Sequence, residues 1–65
     1  MLNHHDIREL RTRLRASEAE LALEAGVAPP MVQMIEGGES CQEETKRKVI
    51  LALGKLAKKR FLHGA

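Results

Sequence analysis

Residues 17–38 read SEAELALEAGVAPPMVQMIEGG, and the first part of this stretch predicts a short helix that ends at a glycine. Ser17 and Glu20 have the spacing of a capping box, in which the serine oxygen accepts the amide of Glu20 and the glutamate reaches back to the amide of Ser17. The predicted buried face consists of Leu21, Ala22 and Ala25. Gly26 then stops the helix after about eight residues, as a left-handed residue beyond a helix end does.

A second short helix is predicted directly after this turn. Proline is accepted in the first helical turn because its missing N–H would be unpaired there anyway. We place the first helical residue at Pro30, because a residue that precedes a proline avoids the α region. The predicted inward-facing residues are Val32 and Ile35. The pair Gly37–Gly38 ends the helix, so residues 17–37 have the order of elements of a helix-turn-helix.

Helical periodicity continues on both sides of this unit. No segment alternates between apolar and polar residues for long enough to predict a strand. Upstream, a helix over about residues 6–16 is predicted, with either Asn3 or Asp6 as its cap. Its inward face consists of Ile7, Leu10 and Leu14. The sequence therefore predicts a small all-α domain of four to five helices.

The C-terminal helix is predicted over about residues 41–60, where Ser40 and Glu43 repeat the capping-box spacing. It either continues to its end or breaks near Gly54 into two helices. One apolar stripe consists of Thr45, Val49, Ala52, Leu53 and Leu56. A second consists of Ile50, Gly54, Ala57 and Phe61. Since a helix of a small domain needs only one buried stripe, the second is a candidate homodimer interface. The alternative is a single long helix wrapped by the rest of the chain.

Length and composition exclude several classes of protein. A chain of 65 residues and 7.2 kDa forms one small domain, residues 1–65. So short a chain rarely builds a core and also encloses a catalytic pocket, so its length argues against an enzyme. Phe61 is the only aromatic residue, so the core consists of aliphatic side chains. A single cysteine, Cys41, excludes an intramolecular disulfide, which leaves a second copy or a metal as the means of stabilising so small a core.

No targeting or membrane-spanning segment is predicted. The first residues lack a basic region followed by an apolar one, and the longest apolar run, residues 49–53, is far below the roughly 20 residues that cross a bilayer. A cytoplasmic protein is the simplest interpretation.

The possible soft metal ligands are His4, His5, His63 and Cys41. Their spacing does not fit a zinc site, so neither a metal nor another cofactor is expected.

Charge is arranged in three blocks, with a net +2 over residues 1–15, −7 over residues 16–44 and +7 over residues 45–65. Two interpretations fit this pattern. The basic flanks bind phosphates, or the blocks attract one another across a compact fold.

The stretch from residue 16 to residue 38 resembles the phage-repressor and Cro-type (XRE) helix-turn-helix family, and the resemblance extends over about residues 7–56. The residues that fall in register with the family pattern are Ser17, Glu20, Leu21, Ala22, Gly26, Val27, Ile35, Glu36 and Gly38. The resemblance implies a lambda-repressor-like fold. It also implies a bacterial, phage or mobile-element regulator of transcription, nucleoid-associated, that binds specific duplex DNA as a homodimer. A partly buried ion pair between Arg11 and Glu36 is implied as well.

The same resemblance assigns roles to residues of this chain. The residues expected to face DNA bases are Pro29, Pro30, Met31, Gln33 and Met34. Of these, Gln33 has the amide that reads adenine, and proline and methionine contact thymine methyls. The residues expected at phosphates are Arg13, Arg15, Ser17, Lys46, Arg47 and Lys48. Glu18 stands where the family often has a phosphate-binding glutamine, and its charge repels a phosphate.

A rival class is a protein-interaction module, such as an antiactivator, that keeps the fold with weak DNA binding or none. The acidic block of residues 16–44 and Glu18 favour it. Exposed apolar side chains expected at Leu23, Met31, Met34 and Phe61 also favour it, because such residues are typical of contact surfaces.

Overall fold

Four helices make up most of the computed structural model, which describes residues 2–61. They are α1 (His4–Arg13), α2 (Glu18–Ala25), α3 (Pro29–Glu36) and α4 (Glu43–Phe61), and residues 2–61 contain no strand. The all-α fold class is therefore confirmed, with four helices rather than five, because α4 continues through Gly54 without a break. None of the described helices is long and apolar enough to cross a membrane.

Helix α1 begins and ends earlier than the predicted residues 6–16. Asn3 is its cap: its Oδ1 accepts the Asp6 amide at 2.9 Å, while Asp6 Oδ2 accepts the Asn3 amide at 3.2 Å. This reciprocal capping box starts the helix at His4. The helix ends at Arg13 because Arg15 takes a left-handed conformation, with φ of 58°, which no α-helix continues through.

Helix α2 has only half of the capping box predicted for it. The Ser17 hydroxyl oxygen accepts the Glu20 amide at 2.9 Å. The Glu20 carboxylate does not return to the Ser17 amide, because it accepts a hydrogen bond from Arg60 at the far end of α4 instead. At its other end α2 stops at Gly26 in the left-handed region, with φ of 74°, as expected.

The starts of α3 and α4 both differ from the predictions. Helix α3 begins at Pro29, one residue before the predicted Pro30. Pro29 is thus helical although it precedes a proline, and the extended residue before the pair is Ala28, with ψ of 143°. Helix α4 begins at Glu43 rather than residue 41. Its hydrogen-bond ladder starts from the Gln42 carbonyl, which accepts the Lys46 amide at 3.1 Å, so Ser40 lies outside the helix and is not its cap.

The core forms where α2 packs against both α3 and α4. The inward faces predicted for the helices are confirmed at most positions, and the largest fully buried side chains are Ile7, Leu21, Val32 and Val49. Leu10, Ala25 and Thr45, predicted on the same faces, are half-buried at the edge of the core. Helix α3 thus presents Val32 and Ile35 to the core and turns its other face outward.

Two ion pairs join α2 to the C-terminal turn of α4. Lys59 Nζ lies 2.6 Å from Glu24 Oε1, and Arg60 Nη2 lies 2.5 Å from Glu20 Oε2. Part of the acidic block is therefore neutralised by the basic tail of the same chain. Both interpretations of the charge blocks remain compatible with the fold, since Lys46, Arg47 and Lys48 form no ion pair within residues 2–61.

Acidification is expected to break the Glu24–Lys59 pair. The hydrogen bond from Lys59 lowers the pKa of Glu24 below its usual value. A carboxyl whose pKa is lower in the folded than in the unfolded state stabilises the fold above its unfolded pKa, and this contribution is lost as the pH falls through the folded pKa. An NMR titration of the Glu24 carboxyl checks this. In Lys59→Met the pKa of Glu24 should rise toward its usual value, and an unchanged pKa would contradict the assignment.

Candidate nucleic-acid interface

The outward face of α3 begins at a tight turn after α2. Gly26, Val27 and Ala28 form this turn, and the Val27 amide donates to the Ala22 carbonyl at 3.0 Å. Among the residues predicted to face DNA bases, Pro29, Pro30 and Gln33 are exposed, whereas Met31 and Met34 are half-buried. The structure thus brings these five residues to one accessible side of α3, opposite its buried side chains.

A bidentate ion pair holds the other end of α3. Arg11 Nε donates to Glu36 Oε2 at 2.7 Å and Arg11 Nη2 donates to Glu36 Oε1 at 3.0 Å, so the ion pair expected between these residues is present. The Glu36 side chain is 4% exposed and that of Arg11 15%. The hydrogen bond to Glu36 raises the pKa of Arg11 against the opposing effect of burial. The ion pair therefore ties α3 to α1.

Arg11 makes a third contact that the sequence did not indicate. Its Nη1 donates to the Ala16 carbonyl at 2.9 Å, just before α2 begins. One guanidinium thus fixes the end of α1, the start of α2 and the end of α3. Since a rigid planar group directs two donors to Glu36 and a third to Ala16, lysine at this position would not replace it.

Gln33 is held by a side chain from α2. Its Nε2 donates to Glu18 Oε1 at 3.3 Å. A carboxylate only accepts hydrogen bonds, so the amide NH₂ of Gln33 faces Glu18 and its Oε1 is left as an acceptor. Both residues stand out in the sequence but their contact does not, since the packing angle of α2 on α3 decides whether residues 15 positions apart meet.

The predicted phosphate contacts fall into two groups. Lys46 lines a cleft with Ile35 and Gly38 at the end of α3, and Arg47 and Lys48 follow it as exposed residues in α4. Arg13 and Arg15 are exposed at the end of α1, and Arg13 forms a long, exposed pair with Glu9 at 3.5 Å. The remaining member, Ser17, is exposed and accepts the Glu20 amide at its oxygen, which leaves its hydroxyl hydrogen as a donor.

The cleft beside Lys46 contains a close contact that sequence analysis missed. Gly38 has φ of 80°, which favours glycine, and a Cβ atom there would also crowd the His4 side chain, at 3.2 Å from its Nε2. Cys41, half-buried beside the turn from α3 to α4, is a free thiol in the same cleft. His63, considered above as a metal ligand, lies outside the described residues.

Comparison with models of protein families, with curated proteins and with solved structures finds no match for this chain. The observations that bear on function are therefore the exposed face of α3, its Arg11 clamp and the basic side chains around its C-terminal end.

The second stripe of α4 is open on one side. Ile50 and Ala57 are half-buried, whereas Gly54 and Phe61 are exposed. Residues of α1 cover one flank of the stripe and form a groove with it. The alternative that the rest of the chain wraps α4 is therefore correct for the buried stripe but not for this one, within residues 2–61.

Proposed function

We propose that this chain is a sequence-specific DNA-binding regulator of transcription of the XRE helix-turn-helix type, either a repressor or a dual controller. The observation that carries the proposal is the Arg11 clamp on Glu36, which fixes an α3 whose opposite face is exposed. In this proposal the exposed face enters the major groove. The chain acts as a homodimer with half-sites about 34 Å apart, one helical turn of DNA, or a multiple of that distance.

The Glu18 contact sets how Gln33 is expected to read a base. The amide NH₂ of Gln33 has two hydrogens and Glu18 accepts one of them, which leaves the second N–H and Oε1. These two groups match N7 and N6 of adenine, and Glu18 fixes which side of the amide faces the DNA. Pro29, Pro30 and Met31 add apolar contacts suited to thymine methyls. Recognition in this proposal is thus more apolar than usual for a major-groove helix.

Phosphate binding is assigned to charged groups around the C-terminal end of α3. Lys46, beside the last residues of α3, and the adjacent Arg47 and Lys48 supply cations from α4. Arg15 and the Ser17 hydroxyl lie just before α2, whose start Arg11 ties to the same end of α3, and Arg13 is the last residue of α1. Such contacts set the register of the protein on DNA without reading its sequence, and they make binding depend steeply on salt.

Selection from random-sequence duplex DNA at two salt concentrations tests the proposal directly. Recovery of an inverted repeat, with affinity that falls at the higher salt, is the expected result. A folded protein that retains no DNA would contradict it. That outcome would favour the second candidate function, a protein-interaction module, for which the specific observation is the 83% exposure of Leu23 on α2.

Glu18→Gln is expected to strengthen DNA binding about three- to tenfold at 0.1 M salt, because it removes one negative charge beside the phosphates. It should also relax the base preference at the position facing Gln33, since a glutamine at position 18 both donates and accepts. Fluorescence anisotropy with the selected operator and its single-base variants measures both effects. Glu39→Gln removes the same charge at an exposed residue that lies in the cleft with Lys46 and does not contact Gln33. It should raise the affinity without changing the base preference, and a relaxed base preference in this control would contradict a specific role for Glu18.

A further inference from the structure

A second groove, here named the Leu51 groove, runs along the first half of α4 and has a volume of about 370 Å³. The residues that line it are Leu2, Glu43, Lys46, Arg47, Ile50 and Leu51. Leu51 is 60% exposed, whereas most other large apolar side chains of the described residues lie in or against the core. A large apolar side chain left in water on a concave surface is typical of a contact site.

The charged residues of the Leu51 groove are mostly basic. Lys46 and Arg47 line it and form no ion pair within residues 2–61. Glu43, the one acid among its lining residues, forms none there either. Lys58 follows Leu51 by seven residues, which is two turns of helix, so positive charge continues along the same face of α4.

The chemistry of the groove restricts what covers it. A molecule that covers Leu51 also takes Lys46 and Arg47 partly out of water. A charge that leaves water without a partner is costly, so the occupant has to supply carboxylates beside these two cations. It also has to supply apolar groups for Leu51, which a nucleic-acid backbone lacks. The groove therefore fits an occupant that is both acidic and apolar.

We propose that the Leu51 groove binds an acidic amphipathic helix of a different protein. The apolar face of that helix packs on Leu2, Ile50 and Leu51, and its carboxylates pair with Lys46 and Arg47. This is the mode of recognition in which a helix lies in a groove, with apolar anchors at helical spacing. The partner is thus defined by its chemistry, as a helix with leucine-like residues on one face and glutamate or aspartate beside them.

Other occupants fit the groove less well. A second copy of this chain has no acid over residues 45–65, and in α2 the acids next to its exposed Leu23 already pair with the end of α4. An anionic bilayer supplies charge, but a flat surface does not reach the concave wall beside Leu51. A protein helix satisfies both the shape and the charge.

Lys46 connects the Leu51 groove to the nucleic-acid interface. It lines both this groove and the cleft at the end of α3, where phosphate binding is proposed. A carboxylate of the partner and a phosphate of DNA would compete for its one ammonium group and repel each other. Binding of the acidic helix therefore weakens binding of DNA. This consequence rests on the proposed function, whereas the docking itself does not.

The docking is tested without DNA, using a labelled synthetic peptide of about 16 residues, four to five turns, with leucine on one face of its helix and glutamate on the rest. Fluorescence anisotropy with the full chain should give a Kd on the order of 10–100 μM, as for a small transient contact. A peptide of the same composition in scrambled order has the same charge but no apolar face, and should bind at least about tenfold more weakly. Equal binding of the two peptides, or no binding at about 1 mM, would overturn the proposal.

Two variants connect this binding to the groove. Leu51→Ser should weaken the glutamate peptide about tenfold, because a large part of one leucine side chain loses its apolar contact. K46E/R47E should lose the glutamate peptide and bind a version with lysine in place of glutamate, which the unchanged chain should not bind. Both variants change residues outside the core, so circular dichroism should show the same helicity.

Three results in this series would assign the surface differently and overturn the acidic helix as its occupant. One is binding of the glutamate peptide that both variants leave unchanged. Another is a dimer of the chain that Leu51→Ser dissociates. The third is binding to phosphatidylglycerol vesicles that depends on Leu51, without binding of the peptide.

Competition with DNA is tested separately. The glutamate peptide should release a labelled operator duplex, and Lys46→Gln should weaken both ligands. Lys48 is exposed on α4 outside the groove, so Lys48→Gln should weaken DNA binding alone, whereas Leu51→Ser should weaken peptide binding alone. Simultaneous binding of peptide and DNA would overturn the shared role of Lys46. A chain that binds the peptide but retains no DNA would contradict the proposed function and support the docking.

Discussion

Arg11→Met is expected to lower the free energy of unfolding by about 3 kcal/mol or more, the low end of the range for a buried ion pair that loses one partner. Glu36, with 4% of its side chain exposed, would lose its counterion, and the Ala16 carbonyl would lose its donor. A domain of 65 residues has a total stability of roughly 3–10 kcal/mol, so this loss is about a third of the total or more. Urea denaturation followed by circular dichroism measures the change.

The double variant R11M/E36L separates charge burial from packing. Replacing both members of a buried ion pair by apolar side chains is often nearly neutral, because neither charge then has to be desolvated. The double variant should therefore be more stable than Arg11→Met alone, with a coupling energy of at least about 1 kcal/mol. Arg13→Met breaks the exposed pair with Glu9 and should cost less than about 1 kcal/mol. Equal losses in Arg11→Met and Arg13→Met would contradict the structural role of the clamp.

The triple variant K46A/R47A/K48A is expected to weaken DNA binding about 500-fold at 0.1 M salt. The binding constant varies as roughly the −0.9 power of salt concentration for each phosphate neutralised, so each lost contact costs about eightfold at this salt. The slope of log K against log salt should fall by about 2.7 for three contacts. Because phosphate contacts carry no sequence information, the loss should be similar for the selected operator and for unrelated duplexes.

A matched charge change distinguishes local contacts from net charge. The control variant R8A/K55A/K58A also removes three cations, all from exposed residues outside any ion pair in residues 2–61. It should change the salt slope much less than K46A/R47A/K48A does. Anisotropy titrations over a range of salt concentrations measure both slopes. Equal slopes for the two variants would show that net charge alone drives binding, and would contradict the placement of phosphates beside Lys46.

Local signals in the sequence predicted the helices well and their ends less well. Ser17, Gly26 and the proline pair at residues 29–30 act on the backbone within a few residues of themselves, so the boundaries of α2 and α3 were close to correct. Ser40 shows the limit of such signals. It has the capping-box spacing with Glu43, yet α4 begins later, because the chain must first turn away from the end of α3.

The sequence predicted only part of the candidate site. The Arg11–Glu36 pair followed from the family resemblance. Two other contacts could not be predicted from the sequence: the hydrogen bond between Gln33 and Glu18, and that between Arg60 and Glu20. Each joins residues whose distance depends on how two helices pack. The charge blocks indicated that acidic and basic segments attract, but not which cations pair with α2. Because Lys59 and Arg60 are the cations that pair with α2, Lys46, Arg47 and Lys48 remain available to other partners.

The sequence by itself determined the all-α class, the order of the short helices and the apolar faces that form the core. These properties depend on periodicity and on local backbone preferences, which act over a turn or two of helix. Only the tertiary structure decided which charged side chains meet, how Gln33 is oriented and which stripe of α4 stays open. Those outcomes depend on the angles and distances between helices, which the core as a whole sets and no short segment encodes.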